Sequence, residues 1–483
     1  MHMRSALCDC IEQVERLRGL LNLRDAQDVK LFQSACVATD NIEQEREIGL
    51  RRVHEKLSRS FGGGDEDDLI MCPIDVVRVD KNGWYREGNG ACNISSTYSN
   101  FKKEYCFRNV PCIIRGLDEI SFEDISLNWK RKNTDTTDAT RGESRINTSW
   151  FETYVGEDTM VPVRIDRDNG LDKDGRAEEC TTKMMRLKDW ITSCRRKRIQ
   201  GEICREYLKD WHLLQLLRSK QPADAAAPLY KTPQFFERDL LNNFLERYSD
   251  CDFKFVYWGP SGSITRLHSD VLHSFSFSYN VTGAKRWTFY IPNSPSDVKT
   301  TRSFDVIQKE GETMFVPSMW MHEVVNLVET LSINHNWITS ANIDNTWQCI
   351  SNEIKAIDSE IRAWGTVPSD DFEAREMMLR GCAGLDVTTF FLMILLEVSE
   401  LLVQVLGSAN DVTVDSNDNH DSMRSICYLV KVLRDVSSCQ EAKAAERLQA
   451  VLGSKTRAIQ AQECASFVVD LVTILKENHS ADK

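Results

Sequence analysis

The sequence predicts an α+β protein in which a small antiparallel β-barrel is flanked by helices. Between residues 253 and 337, short apolar runs alternate with turn residues, a pattern typical of a β-sandwich or small barrel. Apolar residues recur at helical spacing before residue 60 and after residue 345. The pair His268 and Asp270, followed later by His322, falls among the predicted strands.

The N-terminal part predicts helices. Between Ala6 and Arg59, many charged residues accompany apolar residues at heptad-like spacing, and we assign residues 1–61 to an N-terminal helical segment. Such helices form a packing or partner surface more often than a catalytic one. Residues 62–68 combine three glycines with four acidic residues and predict a flexible linker.

Residues 69–340 are predicted to form the next domain, whose core lies at about 253–340. Residues 131–145 are rich in Thr and Asp, so we expect a disordered polar insertion there. Alternating or apolar runs bounded by Gly and Pro predict the core strands. These strands are expected at 253–260, 275–281, 285–292, 313–317, 324–327 and 331–337.

His268, Asp270 and His322 form a candidate metal site. Residues two apart on a strand face the same side, so one ion can touch both His268 and Asp270, while His322 must come from another strand. Two imidazoles and one carboxylate on one face of a metal leave the opposite face open, as in non-haem Fe(II) oxygenases. A His-x-Asp pair considered by itself lies more often in a surface turn than at a metal. The predicted strands around His268 and Asp270 favour the metal site.

The residues around this motif resemble the JmjC family. The similarity extends from about Cys92 to Trp347 and depends mainly on Tyr257–Pro292 and Gly311–His322. JmjC proteins are Fe(II)- and 2-oxoglutarate-dependent oxygenases built on a double-stranded β-helix, a cupin-like jelly roll. The resemblance therefore implies this fold, Fe(II) as cofactor, and 2-oxoglutarate and O₂ as co-substrates.

Four shorter segments resemble the jumonji domain-containing protein 4 type within that family. They are residues 207–213, 257–260, 274–276 and 333–337. This resemblance implies a protein lysyl hydroxylase acting in translation termination. The implied reaction is C4 hydroxylation of a lysine in the eukaryotic translation release factor, coupled to decarboxylation of 2-oxoglutarate to succinate and CO₂.

The resemblance also implies roles for single residues at the iron. His268, Asp270 and His322 match the metal ligands, which form the catalytic centre. Lys285 matches the lysine that pairs with the far carboxylate of 2-oxoglutarate. A carboxylate inside a barrel requires such a cation; without the resemblance, Lys285 would be interpreted as an exposed strand lysine.

Three further residues match polar contacts to the co-substrate in relatives: Thr265, Asn334 and Asn336. A strand Thr or Asn often serves only its own backbone or water, so these assignments depend on the resemblance. Where some relatives have Asn on the strand after the metal pair, this chain has Ser278. One co-substrate contact is therefore expected to differ.

Two other functions are compatible with the same motifs. An N-methyl-lysine demethylase of histones or another protein would use the same iron and co-substrate but release formaldehyde. A non-catalytic JmjC scaffold would bind a partner through its helices. Inactive relatives usually lose a metal ligand or the co-substrate lysine, and all four positions are retained here.

Composition indicates the class of protein and of partner. The formal net charge of −13 argues against a binder of nucleic-acid phosphates. An acidic surface would suit a basic protein substrate, but solubility alone is the simpler explanation of this charge. The 16 cysteines are scattered, with no zinc-knuckle pairs and no apolar signal segment before them. We therefore expect a cytoplasmic protein, with the nucleus as an alternative location, and no membrane association.

Residues 341–483 are predicted to form a C-terminal helical region. The apolar run Phe390–Leu396 is too short to span a bilayer and predicts a buried helix. The Asn/Asp-rich residues Ser408–Ser422 predict a loop. In many JmjC hydroxylases such helices pair two subunits, so a homodimer and a bundle packed on the chain's own barrel are both expected possibilities.

Overall fold

The computed structural model describes most of the chain. The described residues are 2–21, 42–60, 74–80, 83–86, 101–131, 145–165, 181–220, 230–236, 238–292, 302–365, 371–408, 416–439 and 443–477. The predicted linker 62–68 and most of the predicted insertion 131–145 lie outside them.

Fourteen strands in the described residues form two sheets. They are β1 Asp75–Asp80, β2 Gly83–Arg86, β3 Cys112–Arg115, β4 Met160–Ile165, β5 Thr181–Arg186, β6 Glu206–Trp211, β7 Lys254–Gly259, β8 Ile264–His268, β9 Phe275–Thr282, β10 Lys285–Tyr290, β11 Ser303–Gln308, β12 Thr313–Val316, β13 Met321–Asn326 and β14 Thr330–Trp337. The major sheet has the order β2-β1-β3-β12-β9-β14-β7-β6-β4-β5, and the minor sheet β11-β10-β13-β8. The predicted jelly roll is confirmed.

Strand β9 shows why the space between the two sheets is polar. Phe277 and Tyr279 stack on Phe236 and Phe122 outside the barrel, with ring centroids 4.6 and 4.1 Å apart. Because side chains alternate along a strand, the serines of β9 face the other side, toward the minor sheet. Ser278 accordingly accepts a hydrogen bond from a β10 side chain. The apolar packing lies outside the barrel, and the interior is free for chemistry.

The helices lie at the outer faces and in the C-terminal part. They are α1 Met3–Leu21, α2 Ile42–Ser60, α3 Glu123–Trp129, α4 Thr148–Trp150, α5 Leu187–Gln200, α6 Leu213–Lys220, α7 Leu240–Tyr248, α8 Ile343–Trp364, α9 Phe372–Ala383, α10 Val387–Ser408, α11 Ser416–Ser438, α12 Ala444–Leu452 and α13 Lys455–Glu477. Short 3₁₀ segments occur at Leu117–Glu119, Gln234–Phe236 and Val271–His273, and π-helical turns at Lys102–Phe107 and Phe151–Gly156.

The two N-terminal helices pack in different places. α1 shares one apolar core with α7 and the C-terminal helices, and its buried residues include Leu7 and Leu17. α2 instead contributes Val53 and Leu57 to the core beside the barrel. The helical segment predicted from one continuous pattern therefore supports two separate cores. The same core that holds α1 also contains Ile338, so the C-terminal helices pack on this chain's own barrel.

Helix α10 is the centre of the C-terminal part. The segment Val387–Gly407 is long and apolar enough to cross a membrane, but most of it is buried inside the protein. This burial is typical of a core helix. The loop predicted at Ser408–Ser422 is wrong at both ends, because α10 includes Ser408 and α11 begins at Ser416.

Glu397 of α10 should make stability depend on pH. Burial raises its pKa to about 7 from 4.5, and Arg238 opposes this shift. The folded protein therefore retains a proton that the unfolded chain loses, so a stabilising contribution present below pH 4.5 is lost as pH rises through 7. We expect Glu397→Gln to stabilise the protein at pH 8 by on the order of 2 kcal/mol more than at pH 5, measured by urea unfolding.

The control is Glu47→Gln on α2. Glu47 accepts a hydrogen bond from Arg51 in a solvent-exposed pair, so its replacement should change stability by a similar small amount at both pH values. A Glu397→Gln effect that is equal at pH 5 and pH 8 would contradict the expected protonation of Glu397.

Candidate metal centre

The structure brings His268, Asp270 and His322 together at one end of the barrel. β8 and β13 are antiparallel neighbours, and His322 lies directly opposite His268. Asp270 follows at the end of β8. One ligand atom from each residue lies within 4.8 Å of the others, and the two imidazole ring centroids are 4.4 Å apart. This distance allows one ion to contact all three side chains.

Hydrogen bonds orient each of the three side chains. His268 Nδ1 lies 2.8 Å from the carbonyl oxygen of Arg266, and His322 Nδ1 lies 2.9 Å from that of Trp320. Because a carbonyl only accepts, each Nδ1 carries the proton and each Nε2 has a free lone pair. Asp270 Oδ2 accepts a hydrogen bond of 2.7 Å from Ser276 Oγ. The arrangement presents two imidazole nitrogens and one carboxylate to a shared point.

His322 is suited to remain a neutral ligand. It is 2% exposed, and burial lowers its pKa to about 4, while the Asp270 carboxylate opposes that shift. Metal binding requires an unprotonated imidazole. At neutral pH His322 therefore needs no deprotonation before it can coordinate an ion.

Lys285 lies deep in the same barrel. It is 2% exposed, and its Nζ donates hydrogen bonds to Ser332 Oγ at 2.7 Å and Ser278 Oγ at 3.0 Å. Among the residues that the structure describes, no carboxylate lies within ion-pair distance of this ammonium group. Burial, followed by repulsion from Lys209, lowers the pKa of Lys285 to about 7. A buried cation of this kind is suited to an incoming carboxylate.

The other residues predicted from the resemblance have different hydrogen-bond partners in and near this barrel. Asn334 Oδ1 accepts hydrogen bonds from both serines that contact Lys285, at 3.1 and 3.2 Å. Ser278, where an Asn was expected from some relatives, thus belongs to the same network. Asn336 lies opposite Ser276, the partner of Asp270, and donates to Ser274 Oγ at 3.0 Å. Thr265 hydrogen-bonds a tyrosine on β6.

That tyrosine, Tyr207, was not among the predicted site residues. Its buried hydroxyl hydrogen-bonds Thr265, and burial raises its pKa. Gly259 makes this approach possible, because a Cβ there would lie 2.7 Å from both Tyr207 Cδ2 and Asn326 Nδ2. A Tyr on an alternating strand and a Gly at a strand end carry no local signal of a shared pocket. Only the pairing of β6 with β7 brings them together.

The comparisons with known proteins agree with this geometry. A family model described as JmjC domain, hydroxylase matches residues 294–337. The Mus musculus protein named 2-oxoglutarate and iron-dependent oxygenase JMJD4 is 29% identical over 375 residues, covering 70% of this chain and 81% of the mouse protein. Its Danio rerio namesake is 29% identical over 323 residues, covering 61% and 70%. An Arabidopsis thaliana protein named Arginine-specific demethylase JMJ20 is 30% identical over 336 residues, covering 61% and 67%.

This chain belongs to the JmjC family. The matched JmjC residues include His322 and Asn334, whereas His268, Asp270 and Lys285 precede them in the chain. The structure places these earlier residues around the same cavity. The donor set suits the iron of a JmjC oxygenase, because two nitrogens and one oxygen lie on one side and the buried ammonium group of Lys285 lies in the same barrel.

Gly259→Ala should damage the inner wall of this JmjC pocket. The new methyl group would force Tyr207 and Asn326 to move, and overpacking of this kind costs about 1–3 kcal/mol. We expect the affinity for 2-oxoglutarate to fall by about tenfold, measured by calorimetry with Mn(II) in place of iron. Gly381→Ala is the matched control, since nothing lies within 4 Å of a Cβ at that position. Equal affinities of Gly259→Ala and Gly381→Ala for 2-oxoglutarate would contradict the expected effect of the packing of Gly259 against Tyr207 and Asn326 on co-substrate binding.

Proposed function

We propose that this JmjC oxygenase hydroxylates C4 of a lysine side chain in the eukaryotic translation release factor. Its cofactor is Fe(II), and 2-oxoglutarate and O₂ are its co-substrates. The observation that carries the oxygenase chemistry is the convergence of His268, Asp270 and His322 in a barrel that also buries Lys285. The choice of substrate is supported by the similarity to proteins named JMJD4 and by the sequence segments that resemble that type.

The protein residues have separate tasks in this reaction. His268, Asp270 and His322 would hold the iron, and Lys285 would neutralise the far carboxylate of 2-oxoglutarate. When bound, iron and 2-oxoglutarate supply the oxidation: O₂ and the co-substrate are converted to succinate and CO₂, and one oxygen atom enters a substrate C–H bond. Ser278 and Ser332 orient the ammonium group of Lys285, which is buried and shielded from bulk water.

The carboxylate of Asp210 is a feature that supports the proposal of a substrate with a cationic side chain. Between Leu208 and Trp211, β6 has a bulge that places Lys209 and Asp210 opposite Tyr257. Asp210 has a φ of 58°, and its Oδ1 accepts a hydrogen bond of 2.8 Å from the Tyr257 hydroxyl. The exposed carboxylate is thereby held in one position beside Tyr257. The ammonium group of Lys209 lies 5.5 Å from the Tyr257 ring centroid.

Asp210→Asn should raise the KM for the protein substrate. Loss of one partly exposed charge pair costs up to about 1 kcal/mol, so we expect an increase of about three- to fivefold, with little change in the KM for 2-oxoglutarate. Steady-state rates with a lysine-containing release-factor peptide would measure both constants. Asp305→Asn on the outer strand β11 is the control, and an unchanged peptide KM in Asp210→Asn would exclude Asp210 from substrate binding.

Demethylation of an N-methylated side chain is the second candidate. The Arabidopsis relative is named a demethylase, and the same ligands would serve hydroxylation of an N-methyl carbon, which releases formaldehyde. The substrate of this alternative would be an N-methyl-lysine in a histone or another protein. Detection of formaldehyde separates this reaction from formation of a stable alcohol.

Intact-mass analysis of the release factor tests the proposal. The factor is incubated with this protein, Fe(II), 2-oxoglutarate and O₂, with Asp270→Ala as the inactive control. One added oxygen atom, absent with the control and mapped to C4 of a lysine, is the expected result. Succinate formation without a mass change in the factor would reject this substrate and direct the search to methylated lysines.

The cellular context follows from the same proposal. A translation factor as substrate requires the enzyme in the cytoplasm, and we propose no direct contact with nucleic acid.

A homodimer through the C-terminal helices is also proposed, and light scattering of the purified protein would give the mass of the assembly.

A further inference from the structure

A second cluster of reactive side chains lies outside the candidate iron site. Cys194 is in α5, and Cys204 precedes β6 by two residues. Their Sγ atoms are only 3.4 Å apart, and each residue is 8% exposed. Disulfide formation requires the two sulfurs to approach to about 2.05 Å. Each thiol is thus already close to its partner, and a narrow part of each faces solvent.

The surroundings of the pair favour a reactive thiolate on one side. The hydrogen bond with Cys194 is the largest influence and lowers the pKa of Cys204. Burial and the Glu206 carboxylate oppose this shift, whereas the Glu206 backbone hydrogen bond and, to a smaller extent, Lys197 add to it. The pKa of Cys194 is raised, chiefly by the same hydrogen bond and by burial. The Cys204 sulfur is therefore the better nucleophile, and the Cys194 sulfur keeps its proton. Dithiols that form a disulfide in two steps have the same division of roles.

Glu206 is close enough to offer a third ligand atom, and the three ligand atoms lie within 4.8 Å of one another. A metal site is nevertheless disfavoured. Glu206 Oε1 accepts a hydrogen bond of 2.8 Å from the Lys197 ammonium, which would repel a divalent ion. Structural zinc usually has four protein ligands, and the described residues supply three here. The geometry therefore favours sulfur–sulfur chemistry.

We propose that Cys194 and Cys204 form a redox-active pair that hydrogen peroxide converts to an intramolecular disulfide. The Cys204 thiolate attacks one peroxide oxygen, the O–O bond breaks, and the second oxygen leaves as hydroxide, which takes up a proton to become water. The Cys194 sulfur then attacks the resulting sulfenic acid, forms the S–S bond and releases the oxygen as water. In total, two thiols are oxidised by two electrons, and one peroxide is reduced to two waters.

The position of the pair connects it to the barrel. Cys204 leads directly into β6, which carries Tyr207 and Lys209 to the pocket wall. Arg198 of α5 also forms an ion pair of 2.6 Å with Glu329, whose other oxygen accepts a hydrogen bond from Trp258 on β7. Closure of the disulfide would therefore act on a segment that is packed against the candidate site without altering any proposed ligand.

Differential alkylation tests the proposal on the full-length, metal-free protein. The protein is treated with hydrogen peroxide, free thiols are blocked, and peptides are mapped by mass spectrometry before and after reduction. We expect a cross-linked peptide pair containing Cys194 and Cys204, lighter by two hydrogens and separated by reductant. During peroxide treatment, the free thiols of Cys194 and Cys204 should disappear about tenfold faster than the buried thiol of Cys112.

Single replacements test the assigned roles. Cys194→Ser should leave Cys204 as a sulfenic acid that dimedone traps, and Cys204→Ser should leave Cys194 unreactive. Cys251→Ser, at an exposed cysteine elsewhere, should leave the cross-link unchanged. Two results would overturn the proposal: both thiols remaining reduced while other cysteines oxidise, or stoichiometric zinc bound by the purified protein and lost with either replacement. The wild-type mapping needs no variant, so a misfolded variant would not obscure the outcome.

Discussion

Asp270→Ala is expected to abolish turnover of 2-oxoglutarate and to weaken iron binding by at least about 100-fold. Asp270 is the only carboxylate in the three-residue cluster. Its removal takes away the one anionic ligand and leaves two neutral imidazoles, whose Nδ1 protons are committed to backbone carbonyls. Metal content after dialysis and succinate formation would measure both effects in the same preparation.

Two variants make this test specific. Asp305→Ala removes a carboxylate from the outer face of β11, where it accepts a hydrogen bond from Thr288, and should retain iron and activity. Ser276→Ala removes only the hydrogen bond that orients Asp270 and should cause a smaller loss, about tenfold. Full iron occupancy in Asp270→Ala would contradict the proposed ligand set.

Lys285→Met is expected to produce the second large effect, a loss of 2-oxoglutarate affinity by about 100-fold or more. Methionine has a similar length but no charge, so the far carboxylate of the co-substrate would be buried without a counter-ion. Breaking a buried ion pair from one side costs about 3–5 kcal/mol. Calorimetric titration with 2-oxoglutarate would measure this loss, and iron binding should change little because Lys285 is not among the clustered ligands.

The same lysine predicts how co-substrate binding depends on pH. Lys285 has a pKa of about 7 before the co-substrate binds, and a bound carboxylate raises the pKa of an adjacent amine. Above pH 7, binding therefore requires uptake of a proton, and the affinity of the wild-type protein should fall by up to about tenfold per pH unit. Below pH 7, Lys285 is already protonated, so it should cause no further change in the affinity for 2-oxoglutarate as pH falls.

The neighbouring residue supplies the matched control for Lys285. Arg286 is on the same strand but faces outward, toward Asp305 on β11 at 3.9 Å. Arg286→Met removes one cation from the protein without opening the barrel, so it should keep both the affinity and the pH dependence. Equal losses in Lys285→Met and Arg286→Met would indicate a general electrostatic effect and contradict the assigned carboxylate contact.

Local patterns in the sequence were sufficient for the fold class and for the metal motif. The spacing of His268 and Asp270 allowed them to be paired without a structure. In the fold, however, β8 ends at His268, and Asp270 reaches the cluster from the turn that follows. The period of the apolar residues similarly predicted the helices on both sides of the barrel. The family resemblance added Lys285, whose role does not follow from its strand position.

The tertiary structure decided the contacts between segments that are distant in the chain. Strand register places His322 opposite His268, brings Ser278 and Ser332 to Lys285, and sets Tyr207 beside Gly259. The fold also separates α1 from α2 and places Cys194 next to Cys204. Such contacts depend on which strands and helices pack together, and that choice is made by the whole apolar core, not by the few residues that touch.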